Sequence, residues 1–471
     1  MSADSIETHP PKEVEDRLLR EQNWAPGNDR NENAIAVDFI NVYGSELRYV
    51  PSWKKWLYWT GTHWDIDHDL VYVTSRMRIL AHRYWEWVPQ LQNLEYTKFC
   101  IALNRRATID NVITLSRTDD RTTVKHDQLN TNPYLLNTRN GTIDLKTGAF
   151  REHRQSDYIT QVANVSFDAN ATCESWNAFI DLIFGEDHEA KRYIRALLGY
   201  SLSGDVGEHV LPICYGAGAN GKSTIWNTVV ELLGDYAMLA PNKLLLGTNN
   251  EHDTIIASLY QRRLVAISEP DEGMKLREAR VKDLTGDEQV TARRMREDFW
   301  SFKRTHKFWL STNHLPQISG SDEAIWRRIK LIPFRIDLRK ATKPIPNYHK
   351  LLIRKEGPGI LNWLLSGFRD WQENGFIEPQ SVITETASYR GQSDEIGRFI
   401  ADCCDVSPEL VVASSDLHNA YRDWGGELSQ VRFSTQMQGR FRHSKRTFGR
   451  YRNKQVFEGI SLQSSGSEQE F

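Results

Sequence analysis

The spacing of apolar positions changes repeatedly along this chain of 471 residues, and each change predicts a different kind of element. Residues 1–35 are polar and rich in Pro, Asn and Glu, with no apolar run, and read as a disordered leader. Residues 36–190 read as an α+β region. Short aromatic-rich runs alternate there with helical stretches such as Val73–Trp87. Asn140-Gly141 and Thr147-Gly148 punctuate two strand-like runs, Tyr134–Thr138 and Thr142–Leu145, which predicts a hairpin or meander. Ser175–Phe184 and Asp187–Ser201 carry apolar residues three and four apart and read as amphipathic helices.

From His209 to Phe334 short apolar runs alternate with helical ones. The expected order is strand Val210–Tyr215, helix Ser223–Leu233, strand Leu264–Ile267, helix Leu276–Leu284, strand Phe308–Leu310 and strand Ile329–Phe334. Buried strands separated by helices predict an α/β fold with a parallel sheet covered on both faces, and residues 191–345 are assigned to this core. After Pro344-Ile345-Pro346 a helical connector spans residues 346–394, with Ile360–Trp371 as its clearest stretch. Residues 395–471 form a last module. Two helical stretches holding Phe399, Tyr421 and Trp424 precede a basic helix and a basic strand pair ending in Val456–Leu462, which predicts a winged-helix-like unit.

Charge alters this picture little. Charged residues make up 26% of the chain and the net charge is −3, so any nucleic-acid surface must be local. Fifteen tryptophans suit packed cores and stacking surfaces alike. None of Cys100, Cys173, Cys214, Cys403 and Cys404 stands in a C-x-x-C pair, which suits a reduced, cytoplasmic protein, in the host cytoplasm if a phage or virus encodes it. No stretch approaches about 18 uninterrupted apolar residues, so no membrane partner is expected.

The chemistry starts at Gly216-Ala217-Gly218-Ala219-Asn220-Gly221-Lys222-Ser223-Thr224, which follows a buried strand and opens a helix. That context makes a G-x-x-x-x-G-K-S pattern a P-loop. The glycines let backbone N–H groups wrap phosphates, and the helix N-terminus adds its positive dipole end. Lys222 is expected on the β/γ-phosphates of ATP and Ser223 on Mg²⁺. The run Arg263-Leu264-Val265-Ala266-Ile267-Ser268-Glu269 is a buried strand ending in a carboxylate, suited to polarise the attacking water or hold Mg²⁺. Asp271 and Glu272 follow closely enough to share those roles. A third strand, Phe308-Trp309-Leu310-Ser311-Thr312, ends at Asn313, whose amide can bond both γ-phosphate and water.

Between these strands, Thr285-Gly286-Asp287 leads into Arg293-Arg294-Met295-Arg296 and Phe299-Trp300-Ser301-Phe302-Lys303, a β-hairpin with its tip near Arg296-Glu297-Asp298. Asn313-His314-Leu315-Pro316 and Trp326-Arg327-Arg328 complete the series. Together these motifs resemble the superfamily III helicases, in particular the poxvirus, phage and plasmid primase–helicase group, over about residues 200–336. The resemblance implies an AAA+ type core in a hexameric homo-oligomer threaded by single-stranded DNA, with 3′→5′ movement. It implies that Arg293, Arg294, Arg296 and Lys303 track phosphates in the pore, with Phe299 or Trp300 stacking on a base. It further implies an arginine finger reaching the neighbouring subunit's nucleotide. Strand alternation points only one of Arg327 and Arg328 that way, and Arg328 is slightly preferred.

The C-terminal run Gly439–Lys454 holds seven Lys/Arg and no acid. Arg442, Lys445, Arg446, Arg450 and Arg452 are its candidate phosphate contacts. Trp64-Asp65-Ile66-Asp67 imitates a metal-binding Asp-x-Asp, but no supporting catalytic series accompanies it. With too little chain before the core for a primase as well, a separate primase polypeptide is the expected partner, alongside forked duplex DNA. The preferred function is an ATP-dependent DNA helicase of phage, virus or mobile-element replication. A replication initiator or loader that uses ATP as an assembly switch is the alternative. A P-loop phosphotransferase fits less well, because it leaves the basic hairpin unexplained.

Overall fold

The computed structural model describes residues 24–463, apart from 28, 248–253, 269–272, 294–298, 319–321, 342, 344 and 447–449. Helix α1 (Glu32–Tyr43) starts inside the stretch read as leader and is capped by Asn31, whose side chain accepts from the Ala34 N–H at 3.0 Å. A small antiparallel sheet follows, formed by β1 (Leu47–Val50), β2 (Lys55–Trp59) and β3 (Trp64–Ile66). Helices α2 (Val71–Glu86), α3 (Leu94–Leu103) and α4 (Arg106–Ser116) pack with α1 around Phe39, Tyr43, Met77, Tyr84 and Tyr96.

Asp67 is spent locally. Its carboxylate accepts from the Tyr72 and Val73 N–H groups at 2.8 and 2.9 Å and so caps α2, which accounts for one half of the apparent Asp-x-Asp. Strands β4 (Leu135–Thr138), β5 (Gly141–Asp144) and β6 (Phe150–Arg151) form the expected meander. Helices α5 (Glu174–Phe184) and α6 (His188–Tyr200) lead into the core.

The core sheet contains β7 (Leu211–Tyr215), β8 (Ala237–Ala240), β9 (Leu264–Ser268), β12 (Lys307–Thr312) and β13 (Ile329–Pro333), all parallel, in the order β13-β7-β12-β9-β8. Alternate strand residues enter two separate hydrophobic clusters. Leu264, Ala266, Trp309 and Ile332 face one, and Val265, Ile267, Phe308, Leu310 and Leu331 face the other. Both faces are therefore covered, as expected for a parallel sheet. Helix α7 (Lys222–Leu233) covers the first face. On the second lie α8 (Glu278–Gly286) and the antiparallel pair β10 (Gln289–Arg293) and β11 (Phe299–Lys303).

Chain order and strand order disagree at β7. The chain runs from β7 to the far edge, returns through β9 and β12, and then places β13 on β7's other side. Such a reversal opens a crevice at the carboxyl ends of the strands, where ligands of open α/β sheets bind. The opposite edge is pinned by buried cations. Arg263 donates to the Leu202 and Leu135 carbonyls at 2.6 and 2.7 Å, Arg304 to the Asp287 and Val206 carbonyls, and Lys307 to the Ser203 carbonyl.

Helix α9 (Tyr348–Asn374) starts twelve residues before the predicted stretch and runs through Gly357-Pro358-Gly359. The glycines permit contact that a side chain would block. A Cβ on Gly359 would sit 1.9 Å from the Thr172 carbonyl oxygen, and one on Gly367 would sit 2.0 Å from the Arg195 oxygen. Glu356 accepts from the N–H groups of Ser175 and Trp176, at the start of α5. The segment read as a connector is thus packed into the same cluster as α5, α6 and α7.

Helix α10 (Gln380–Ser393) bridges to the last module. That module consists of α11 (Glu395–Cys403), β14 (Cys404–Ala413), α12 (Ser414–Asp423), α13 (Gln430–Gln438), β15 (Arg442–Lys445) and β16 (Gln455–Leu462), with sheet order β14-β16-β15. The expectation of a basic helix is corrected here. The cations fall on the turn after α13, on β15 and on the following loop, because Gly439 ends α13 before the run begins. No helix among the described residues is long and apolar enough to cross a membrane.

Candidate functional site

Strand β7 ends at Tyr215 and the chain wraps back through Gly216–Gly221 before α7 starts at Lys222. Only glycine fits position 216, since a Cβ there would lie 2.1 Å from the Phe334 carbonyl oxygen. Gly221 stands at φ +90°, a left-handed conformation natural to glycine. Gly218 has open space where a side chain would be. Asn220 is buried and donates to the Phe334 carbonyl at 3.2 Å, which ties the loop to the end of β13.

Lys222 is 6% exposed, and its ammonium is held from both sides. It donates to the Gly216 carbonyl at 2.7 Å and to the Asn220 and Asn313 side-chain oxygens, each at 3.0 Å. The loop Gly216–Gly221 and the end of β12 therefore meet on one cation. A cavity of about 790 Å³ opens there, lined by the loop from Gly218 to Thr224 and by Ser268, Ser311 and Asn313. Exposed Ser223 and Ser268 place hydroxyls on its wall. Glu269, with Asp271 and Glu272, lies outside the described residues. Among the described residues no cluster of three His, Cys, Asp or Glu could hold a metal ion.

Part of the cavity wall is apolar and was not read from sequence. Phe179 and Leu182 of α5 face Tyr348 of α9 and Ile345, with the Phe179 and Tyr348 rings 5.7 Å apart at 75°. Arg339 and Lys343 also line the wall. Amphipathicity accounts for α5 as an ordinary core helix, so no local signal marks Phe179.

The hairpin has two faces. Val290, Ala292 and Phe302 are buried, and Trp300 packs on Tyr260 and Phe302 at 4.9 Å from each. Arg293, Lys303 and Phe299 are exposed on the other face, with the Arg293 guanidinium 5.4 Å from the Phe299 ring centre. Of the two stacking candidates, Trp300 belongs to the hairpin's packed face and only Phe299 is presented outward. Arg294 and Arg296 lie outside the described residues.

The arginine pair splits against the sequence preference. Arg328 is buried, donating to Thr285 Oγ1 at 3.0 Å and to the Ala324 carbonyl at 2.6 Å. Burial lowers its pKa, and the adjacent Arg327 charge adds to this. Arg327 is exposed. The first turn of residues Glu323–Trp326 carries the chain into β13 with Arg328 turned inward, so Arg327 is the one free to reach outward.

Residues 38–185 match the family described as D5 N terminal like, and residues 214–328 match a family of unknown function, DUF5906. A mimivirus protein named "Putative helicase L207/L206" is 28% identical over 320 residues, covering 63% of this chain and 33% of that protein. African swine fever virus "Putative primase C962R" is 26% identical over 334 residues, covering 63% and 34%. Together these matches support a D5-like primase–helicase family. The chain spans about a third of the length of these relatives. The apo C-terminal region of NrS-1 aligns over 88% of this chain and 96% of that one, at 10% identity and a TM-score of 0.47.

The second family match ends at residue 328 and so takes in the loop Gly216–Gly221, Asn313 and both arginines. Beyond it, the C-terminal cations are partly engaged at home. Arg446 pairs with Glu458 at 3.3 Å, and Arg442 lies 3.9 Å from the same carboxylate. Lys445, Arg450 and Arg452 are exposed.

Proposed function

We propose that this chain is an ATP-dependent DNA helicase of replication, with an AAA+ type core of the superfamily III kind acting as a hexameric ring on single-stranded DNA at forks. The observation that carries the reading is Lys222 held between the P-loop and Asn313. That arrangement joins a phosphate-binding cation to an amide on the neighbouring strand. The strand order supports it, because β12 lies between the P-loop strand and the acidic strand. The names of the viral relatives support a helicase or primase role in replication.

The residues fit ATP and Mg²⁺. Open space at Gly218, the backbone of Ala217–Gly221 and the start of α7 suit a polyphosphate, and the apolar wall that includes Phe179, Leu182 and Tyr348 suits a planar base. Ser223, with Glu269 as the carboxylate, would hold Mg²⁺, which supplies charge neutralisation at the γ-phosphate. Lys222 positions and neutralises the phosphates, Asn313 orients water, and Arg327 serves the adjoining subunit's nucleotide. The exposed hairpin face, with Arg293, Lys303 and the flanking Arg294 and Arg296, meets the strand in the pore.

The test is unwinding of forked DNA bearing a 3′ or a 5′ tail, with ATP turnover followed in parallel. Strand separation from the 3′ tail that disappears in Lys222→Ala is the expected result. ATP-dependent DNA binding without strand separation would replace the helicase by an ATP-switched initiator or loader.

A further inference from the structure

The C-terminal module has a core of its own, to which Phe433 and Met437 fix the inward face of α13. At 100° per residue, Val431, Thr435 and Gln438 then point away from that core. Val431 is 77% exposed, an unusual position for a β-branched apolar side chain on a short helix. Thr435 Oγ1 donates to the Val431 carbonyl at 2.8 Å, which leaves its lone pairs outward. Gln438 Nε2 is 3.2 Å from His443 Nδ1, which orients the amide.

No acidic residue occurs between Glu427 and Glu458. The surface is nevertheless divided. The outward face of α13 carries a methyl pair, a hydroxyl and an amide, with the exposed Arg432 at its margin, whereas most of the exposed cations sit on β15 and the loop after it. Duplex DNA asks for that division, since phosphates take cations and base edges take amides, hydroxyls and methyl contacts. A single strand asks for exposed aromatic platforms. The Phe399, Tyr421 and Phe433 rings pack on one another inside the core, and among the described residues Trp424, Phe441 and Tyr451 are only partly exposed.

We propose that α13 reads duplex sequence in the major groove through Val431, Thr435 and Gln438, while Lys445, Arg450 and Arg452 grip the flanking phosphates. The proposal rests on reading this module as DNA-binding and extends it to sequence recognition. A valine suits the thymine methyl and a glutamine the adenine N6/N7 edge, so A·T pairs are the favoured targets.

The test selects duplexes from a random pool with the full-length protein, then compares a selected with a scrambled duplex by anisotropy at several salt concentrations. The expected preference is roughly tenfold or more. Combined Val431→Ala, Thr435→Ala and Gln438→Ala should bring the two duplexes within about twofold of each other, a residual gap smaller than any single well-placed base contact produces. Binding to the scrambled duplex should not change. Combined Lys445→Ala, Arg450→Ala and Arg452→Ala should weaken both duplexes and flatten the salt dependence. Selection without enrichment, or a preference that survives the α13 substitutions, overturns sequence reading while the cation series still reports on the module. If neither set alters duplex binding, the reading of the module as DNA-binding falls with it.

Discussion

Asn313→Asp separates the nucleotide reading from a merely structural one, because it changes charge and keeps shape. The amide oxygen accepts from Lys222 Nζ at 3.0 Å, so the aspartate puts a carboxylate in the same place. Unit charges about 4 Å apart interact by about 4 kcal/mol at an effective dielectric of 20. Desolvation of a buried pair offsets much of that, leaving a net gain of about 1–2 kcal/mol for the protein alone. A triphosphate meets the opposite effect, since Lys222 is neutralised and a new anion faces the γ-phosphate. A penalty of about 3 kcal/mol corresponds to roughly two orders of magnitude in affinity.

The substitution should therefore raise the unfolding temperature without nucleotide and weaken ATP. Thermal unfolding and titration with a fluorescent ATP analogue measure the two effects on the same sample. Asn313→Ala serves as the reference, because it removes one hydrogen bond and should weaken ATP by only about five- to tenfold. ATP affinity within threefold of wild type in Asn313→Asp would show that the Lys222–Asn313 pair is not at the phosphate end of the cavity.

Other substitutions probe the rest of the structure. Gly367→Ala forces a Cβ to within 2.0 Å of the Arg195 carbonyl and should destabilise by about 3 kcal/mol, whereas Gly391→Ala, with nothing within 4 Å, should stabilise slightly; equal urea midpoints would refute the close α6–α9 contact. Arg327→Ala subunits mixed with Lys222→Ala subunits should recover ATPase activity at shared interfaces, and recovery by Arg328→Ala instead would reverse the assignment. Arg328→Ala should cost about 1–3 kcal/mol of stability through its lost buried hydrogen bonds. His306 is fully buried beside Arg304 and Lys307, and burial with those charges pushes its pKa from 6.5 down to about 3. The unfolded chain then takes up a proton that the folded chain refuses. Stability is unaffected above pH 6.5 and falls below it by about 1.4 kcal/mol per pH unit. His306→Gln should flatten the decline between pH 7.5 and pH 5 in urea titrations, and an undiminished slope would exonerate this residue.

Much of the core was legible because its signals are local. Four of the five strands of the sheet declare themselves by short apolar runs, whereas the edge strand β8 does not; the loop Gly216–Gly221 declares itself by glycines placed between strand and helix. What stayed hidden depends on partners distant in sequence. Gly357-Pro358-Gly359 has the composition of a helix breaker, yet Gly359 serves the approach of α9 to Thr172 and the helix continues. Phe179 and Tyr348 come together only when α5 and α9 cross, so neither is marked by its neighbours in the chain. Arg327 and Arg328 share one composition signal and differ only in the turn that buries the second. The basic run near the C-terminus reads as a basic helix followed by a strand pair, but Gly439 closes α13 first and the cations pass to a turn, a strand and a loop.

The position of β12 gives the proposed motor a mechanical argument. Strand β11 of the hairpin ends at Lys303, and β12 begins four residues later with Lys307 anchored to the Ser203 carbonyl. All six residues of β12 are buried, and the strand is hydrogen-bonded to β7 on one side and β9 on the other. At about 3.3 Å per residue it spans roughly 20 Å and ends beside Asn313. A strand clamped in this way transmits displacement instead of absorbing it, because close-packed interiors resist deformation. A change in what Asn313 contacts is thus delivered to the base of the hairpin along one covalent, buried segment. Arg304 reinforces the joint by donating to the Asp287 carbonyl at 2.8 Å, just ahead of β10. In the proposed reading, nucleotide state and grip on the strand are coupled through β12, and breaking the Arg304 joint would leave ATP turnover running with the hairpin slack.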